Sequence, residues 1–95
     1  MKIDIIRQNW SLRGYNFFLW HDPIAKKWPG IIHPIDEIVM LLEGDLILGF
    51  PTGPICLKKG QELTVKANRL HTVWNPGSMP NKWCYGYKMT NGENQ

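Results

Sequence analysis

The chain has 95 residues, a length that suits one compact domain and excludes two domains of ordinary size, so we treat residues 1–95 as a single domain. Apolar residues make up 43% of it and charged residues 20%, which indicates a folded rather than a disordered protein. The net charge is +3, and the basic residues are scattered along the sequence, so we expect no nucleic-acid interface. The longest uninterrupted apolar run, Ile38 to Leu42, is far too short to cross a membrane.

The cysteines and the amino-terminal residues indicate in which cellular compartment the protein is located. Cys56 and Cys84 lie in separate apolar stretches and are best interpreted as free thiols in a reducing environment. The first residues, Met1-Lys2-Ile3-Asp4, are not the long apolar segment of a signal peptide. We therefore predict a soluble, cytoplasmic protein.

In chain order the sequence predicts an all-β domain. Short apolar segments are separated by Gly, Pro, Asn and Asp, and no stretch of ten or more residues has a convincing helical period. The first strand is predicted at Ile3 and Ile5, and the others at 15–20, 31–33, 37–43, 46–50, 55–57, 62–65, 71–75 and 82–89. Residues 21–29 are predicted to form a polar loop and 90–95 a frayed tail. Eight or nine short antiparallel strands must hide their edges, which a closed barrel or jelly roll achieves.

One predicted strand lacks the usual alternation of apolar and polar residues. Ile38 to Leu42 is apolar throughout, which suits a strand that is covered on both faces. We expect a second sheet or the partner in a dimer to supply the cover.

Two clusters along the chain hold side chains that can bind metal. His33 and Glu37 are four residues apart, so on an extended strand both point to one face. His71 lies in a later predicted strand. If the two strands face each other inside a barrel, two imidazoles and one carboxylate converge, which is the set that binds a metal and leaves positions open for substrate.

Ordinary explanations for these residues remain open. A single histidine in a barrel is more often structural than a ligand, but the joint spacing with Glu37 favours a site. An inward carboxylate is costly unless a metal, a protonated His71 or Arg69 meets it. Alternatively, the strand has the opposite phase, with Asp36 inward. The apolar residues Ile35, Val39 and Leu41 share the face of Glu37, which favours the inward assignment.

The two clusters resemble the two motifs of the cupins. In the first motif, Gly-x5-His-x-His-x3-4-Glu-x6-Gly, the last three fixed positions match His33, Glu37 and Gly44. In the second motif, Gly-x5-Pro-x-Gly-x2-His-x3-Asn, three fixed positions match without insertion, namely Gly60, His71 and Asn75. The motif region, 30–75, covers about half of the chain. The resemblance implies a small single-domain cupin, that is, a jelly-roll β-barrel or double-stranded β-helix.

The chain departs from these motifs at several positions. The first histidine of the first motif falls at Ile31, which cannot ligate a metal, and Gly30 is only a shifted counterpart of the opening glycine. In the second motif, Lys66 and Asn68 replace the proline and the glycine. Asparagine tolerates a left-handed backbone, so Asn68 can make the turn of the glycine.

The resemblance implies a metal site that is one ligand short. The family usually uses three histidines and one glutamate, and only His33, Glu37 and His71 are present here. Such a set could hold iron, manganese, nickel or zinc, and dioxygenase, isomerase and lyase chemistries all occur in the family. The alternative is a metal-free ligand-binding or sensory module without catalytic activity. Whether the protein is an enzyme is left open.

We expect a small-molecule ligand at the barrel centre and a homodimer. Six residues are predicted to line the pocket because they lie beside the proposed ligands or are aromatic residues suited to a barrel mouth: Ile31, Val39, Val73, Trp28, Trp74 and His21. His21 is also a candidate replacement ligand or general base. Asn75, which precedes a proline, is expected to organise a turn rather than to bind ligand.

Overall fold

The structure is a computed structural model that describes residues 2–90. Within those residues it has one helix and eight strands, which in chain order are α1 (Ile3–Leu12), β1 (Phe18–Trp20), β2 (Lys27–Ile31), β3 (Glu37–Glu43), β4 (Leu46–Phe50), β5 (Gly53–Leu57), β6 (Glu62–Val65), β7 (His71–Trp74) and β8 (Lys82–Tyr87). No helix among them is long and apolar enough to span a membrane. The predicted tail falls largely on 91–95, outside the described residues.

The strands form two antiparallel sheets of four strands each. Their orders are β1-β8-β3-β6 and β2-β7-β4-β5. One apolar core draws buried residues from both sheets, for example Val39 and Trp83 from the first sheet and Leu48 and Val73 from the second. The predicted all-β jelly-roll architecture is confirmed, with one short helix added.

The amino-terminal segment corrects the prediction. Ile3 and Ile5 were expected to begin a strand, but they lie in helix α1. The helical spacing of Ile3, Ile6 and Trp10 places all three against the outer face of the first sheet, whereas Ile5 is 61% exposed. Trp10 is fully buried there, and its indole N–H donates to Glu62 Oε1 at 3.1 Å. Packing of this face outweighs the modest helix propensity of the isoleucines.

Helix α1 also explains the uninterrupted apolar strand β3. Val39 and Leu41 point into the core between the sheets, while Ile38 and Met40 lie under the helix together with Trp10. The expectation that both faces are covered is confirmed, and the helix supplies the second cover.

Several strand boundaries differ from the prediction. Strands β3, β4 and β6 have the predicted bounds. Strand β1 begins at Phe18 rather than at residue 15, and β2 begins at Lys27, inside the predicted loop 21–29. Residues 21–29 were predicted to form a loop, yet β2 includes Pro29, because β2 is an edge strand, where a missing N–H is tolerated.

The turns contain the left-handed residues that the motifs require. Asn68 has φ 64°, so it makes the turn of the missing glycine as predicted. Ala25 occupies the opening glycine position of the first motif, six residues before Ile31, and it also has a positive φ, 64°. A side chain in this conformation is strained by about 1–2 kcal/mol.

Candidate metal centre

Three side chains from distant parts of the chain meet between the sheets. Glu37 is the first residue of β3, His71 is the first residue of β7 in the opposite sheet, and His33 lies on the connection between β2 and β3. Glu37 Oε1 is 3.5 Å from His71 Nε2 and 3.8 Å from His33 Nε2. One ligand atom from each residue lies within 4.8 Å of the other two. An ion that bonds each ligand at about 2.0–2.2 Å needs only a small further closure of this set.

Glu37 is a buried acid with an unsatisfied oxygen. It is 6% exposed, and Oε1 is the one buried side-chain oxygen or nitrogen among residues 2–90 without a hydrogen-bond partner. An unpaired buried carboxylate oxygen is costly. Since both imidazoles face this same oxygen, a cation between the three groups would satisfy it. The orphaned atom therefore fits a metal ion.

The hydrogen bonds of His71 prepare it as a ligand. His71 is 2% exposed, and its Nδ1 lies 2.9 Å from the carbonyl oxygen of Arg69. A carbonyl can only accept, so Nδ1 carries the proton in the neutral ring and Nε2 presents a lone pair toward Glu37. A backbone partner on the second ring nitrogen is typical of metal-ligating histidines.

The negative charge of Glu37 influences the neighbouring groups. Burial of the His71 ring lowers its pKa, but the contact with Glu37 and the bond to Arg69 outweigh burial, and the net pKa is raised. Burial and then the charge of Glu37 raise the pKa of Tyr85. The same causes, with Tyr85 added, raise the pKa of Tyr87 to about 12. The tyrosines therefore keep their protons at neutral pH.

The three residues form one end of a cavity of about 290 Å³. Its lining comes from both sheets and comprises Trp20, Trp28, Ile31, His33, Glu37, His71, Val73, Trp83, Tyr85 and Tyr87. The Tyr87 hydroxyl is 3.4 Å from His33 Nε2, next to the acid and the two imidazoles. The remaining wall is mostly apolar. A cavity with a few convergent polar groups and otherwise aromatic walls is typical of a small-molecule site.

Three of the six predicted pocket residues lie on this lining, namely Ile31, Val73 and Trp28. The other three lie elsewhere. Val39 packs in the core between the sheets, the Trp74 ring lies under the Lys27 ammonium at 5.5 Å, and His21 is exposed. Among the described residues, the lining of the cavity around Glu37 therefore includes neither His21 nor Trp74.

Sequence reasoning missed the aromatic residues of β8. Trp83, Tyr85 and Tyr87 alternate along this strand and all face the cavity. Their period of two was visible in the sequence and indicates one common face. Trp20, the last residue of the predicted strand 15–20, also lines the cavity and was not among the predicted pocket residues.

Asn75 organises a turn, as expected. Its side-chain amide donates to the carbonyl oxygens of Met79, at 2.9 Å, and Pro23, at 3.2 Å, and its Oδ1 accepts from the N–H of Gly77 at 3.0 Å. These bonds fasten the turn after β7 to the segment before β2. Asn75 thus acts on the loops rather than on the cavity.

Comparison with known proteins identifies the fold. No protein-family model matches the sequence, and a search of curated proteins finds no match. Solved structures do match. A cupin domain from Bordetella pertussis superimposes with a TM-score of 0.65 and 22% identity, over 80% of this chain and 82% of that chain. A cupin superfamily protein from Desulfitobacterium hafniense gives a TM-score of 0.71 and 17% identity, over 80% and 68%. The chain has the cupin fold.

A longer cupin-fold protein matches equally well. Oxalate oxidase, in complex with the substrate analogue glycolate, gives a TM-score of 0.71 and 18% identity, over 83% of this chain and 44% of that chain. The chain thus spans less than half of that structure. At these identities the likeness is one of fold, and it confirms the resemblance that the two motifs carried.

Proposed function

We propose that this cupin fold carries a small-molecule site built around a divalent metal ion held by His33, Glu37 and His71. The observation that carries the proposal is the unpartnered Oε1 of Glu37, buried at 3.5 and 3.8 Å from two imidazole nitrogens. Two imidazoles and one carboxylate suit Fe²⁺, Mn²⁺, Ni²⁺ and Zn²⁺. The set leaves coordination positions open toward the cavity.

The surrounding residues would bind and orient a ligand there. When bound, the metal supplies Lewis acidity or, if it is redox-active, the capacity to activate oxygen. Arg69 holds His71 in the ligating tautomer through its carbonyl oxygen. Tyr87 stays protonated because its pKa is about 12, so its hydroxyl can donate a hydrogen bond to an oxygen atom of the ligand.

Metal analysis of the purified protein tests the proposal. We expect about one divalent ion per chain, lost on treatment with a chelator and restored on titration with Zn²⁺, as followed by elemental analysis and calorimetry. His71→Ala should abolish stoichiometric uptake. His21→Ala is the matched control, because this histidine is exposed and outside the cavity. Uptake that survives in His71→Ala, or no uptake by the wild-type protein, contradicts the proposal.

A second candidate function is a metal-free ligand-binding or sensory module. Ile31 supports it, because this residue replaces the fourth expected ligand and gives the cavity an apolar surface at that point. This candidate requires a protein that is metal-free when purified and still binds a small molecule in the cavity. Ligand binding that depends on added Zn²⁺ would favour the first candidate.

We also propose that residues 1–95 form one domain and act as a homodimer in the cytoplasm. Strand β1 lies at the edge of its sheet, and its residues Phe18, Leu19 and Trp20 are 44%, 42% and 43% exposed. An apolar edge strand is suited to pairing with a second chain. The free thiols of Cys56 and Cys84 suit a reducing compartment. Sedimentation of the wild-type protein and of Leu19→Lys tests the dimer; equal monomer masses would contradict it.

A further inference from the structure

A buried aspartate ties three tryptophans together at the apolar end of the cavity. Asp22 is 2% exposed, and its Oδ1 accepts indole N–H groups from Trp20, at 2.9 Å, and Trp28, at 3.0 Å. Its Oδ2 accepts the indole N–H of Trp83 at 3.2 Å. Asn81 fixes the backbone on both sides, since its Oδ1 accepts the Asp22 N–H at 2.9 Å and its own N–H donates to the Asp22 carbonyl at 3.1 Å.

This arrangement determines what the tryptophans offer to a ligand. Indole has one donor and no acceptor, and in all three residues Asp22 occupies that donor. The three rings line the cavity with apolar surface only, and they come from β1, β2 and β8. The Trp20 and Trp28 rings are edge to face at a centroid distance of 6.5 Å. We call Trp20, Trp28 and Trp83 the tryptophan wall.

The charged and metal-binding groups of the cavity are at the opposite end. They are His33, Glu37 and His71, with the Tyr87 hydroxyl beside them. Tyr85, whose ring lies between those of Trp83 and Tyr87, adds a neutral hydroxyl, and the lining includes neither lysine nor arginine. A divalent ion there, offset by the single charge of Glu37, leaves a net positive site. A ligand that reaches both ends therefore needs one anionic oxygen head group for the metal and an apolar body for the wall.

Two other ligand types fit less well. A dicarboxylate long enough to span the cavity would place its second charged group against rings whose donors are already used, which leaves that group unpaired. Tryptophan faces also attract cations, but the Lys26 ammonium already lies 4.1 Å from the Trp28 ring centroid. Lys26 therefore occupies one face of the Trp28 ring and offsets the charge of Asp22, while the charge of the metal opposes a cationic ligand.

We infer that the site selects a ligand with a planar apolar body and one anionic oxygen head group, and that Asp22 is the positioning residue that holds the tryptophan wall. The inference deepens the proposed function and rests on it, because the head group requires the metal. The volume of about 290 Å³ admits a body of one ring or two fused rings.

Calorimetric titration of the Zn²⁺-loaded protein with three probes tests the ligand class. Benzoate carries the ring and the charge, acetate the charge alone, and phenyltrimethylammonium the ring with the opposite charge. We expect benzoate to bind at least about tenfold more tightly than acetate, because burial of the ring adds apolar contact. Equal affinities for benzoate and acetate, or tighter binding of phenyltrimethylammonium, overturn the inference. If the protein takes up no Zn²⁺, the proposed function fails and this inference with it; uptake without selectivity overturns the inference alone.

Asp22→Asn tests the positioning role. The change keeps the size of the side chain but replaces one of the two acceptor oxygens with an amide nitrogen that donates, so at least one indole N–H loses its partner. We expect Zn²⁺ uptake as in the wild-type protein, a benzoate-to-acetate affinity ratio reduced at least about fivefold, and an altered near-ultraviolet circular dichroism of the tryptophans. Asp45→Asn, at an exposed aspartate, is the control and should change none of these three measurements.

A purely structural role for Asp22 would lower the melting temperature and leave the affinity ratio unchanged, which overturns the assignment. If Asp22→Asn does not fold, Trp28→Leu gives a second test, since Trp28 is 37% exposed and sits at the edge of the sheet. It should retain Zn²⁺ and lose the preference for benzoate. A preference that persists in this variant counts against the tryptophan wall.

Discussion

Replacing Glu37 with glutamine should have opposite effects on the metal-free and the metal-loaded protein. In the metal-free protein, Oε1 is buried without a hydrogen-bond partner. An unsatisfied buried group costs about 1–3 kcal/mol, and more if it is charged. Glutamine removes the charge, and its amide can donate to the Nε2 lone pair of His71, at present 3.5 Å from Oε1. We therefore expect Glu37→Gln to raise the free energy of unfolding by about 1–2 kcal/mol.

Metal binding reverses the order of stability of the wild-type protein and Glu37→Gln. A neutral amide is a weak ligand, so the variant should gain little from added Zn²⁺. At a free metal concentration of about 100 times Kd, the wild-type protein gains about 2.7 kcal/mol. The variant should thus be the more stable protein in chelator and the less stable one in Zn²⁺.

Thermal unfolding in chelator and in Zn²⁺, at a pH above the raised pKa of His71, measures both effects. For a domain of this size, 1 kcal/mol corresponds to about 4–8 °C in melting temperature. Glu43→Gln is the matched control, because Glu43 is an exposed acid on the same strand. A Glu37→Gln protein that is less stable than the wild type in chelator by about 1 kcal/mol or more would refute the reasoning, since it would mean that the acid is already satisfied without metal.

Four further changes test other parts of the structure. The pKa of His71 is raised, so its charge stabilises the metal-free protein fully below about pH 6.5, and this stability is lost as the pH rises through the raised pKa. The difference in melting temperature between the wild type and His71→Gln should therefore shrink at high pH, and a constant difference contradicts this. Ile31→His adds a fourth ligand opposite His71 and should tighten Zn²⁺ binding at least about tenfold by calorimetry; unchanged affinity would mean that the new ring does not reach the ion. In Gly86→Ala the new Cβ would overlap the Asn16 carbonyl oxygen, so denaturant unfolding should show a loss of about 3 kcal/mol, and a loss below about 1 kcal/mol would show that Asn16 moves freely. Ala25→Gly relieves a left-handed alanine and should stabilise by about 0.5–1 kcal/mol in the same assay; a destabilised variant would show that φ is not the limiting factor.

The inward direction of Glu37 was predictable because β-strands alternate. Val39 and Leu41 share its face and lie in the core between the sheets, so the acid had to point the same way. The approach of His71 to Glu37 was predictable only through the cupin spacing. Nothing local indicates which strands of two sheets face each other, so the structure was needed to give the 3.5 Å contact.

Helix α1 and the role of Asp22 escaped prediction for a related physical reason. The spacing of Ile3, Ile6 and Trp10 is helical, but a ten-residue helix is marginal in isolation and forms here against the outer face of a sheet. Asp22 follows Trp20 by two residues, yet its other indole partners lie six and 61 residues away in the chain. The spacing of these partners follows no helical or strand period, so only the folded chain shows that they share Asp22.

Ile31 links the metal site to the ligand that the cavity selects. A histidine here would complete the four-ligand set of the cupins, but it would also replace apolar lining with a polar ring. The isoleucine gives up metal affinity and extends the apolar surface that continues to the tryptophan wall. Ile31→His should therefore bind Zn²⁺ more tightly and benzoate less tightly, both measured by calorimetry on one preparation. If both affinities rise together, Ile31 does not contact the ring, and the apolar end of the site is confined to the tryptophans.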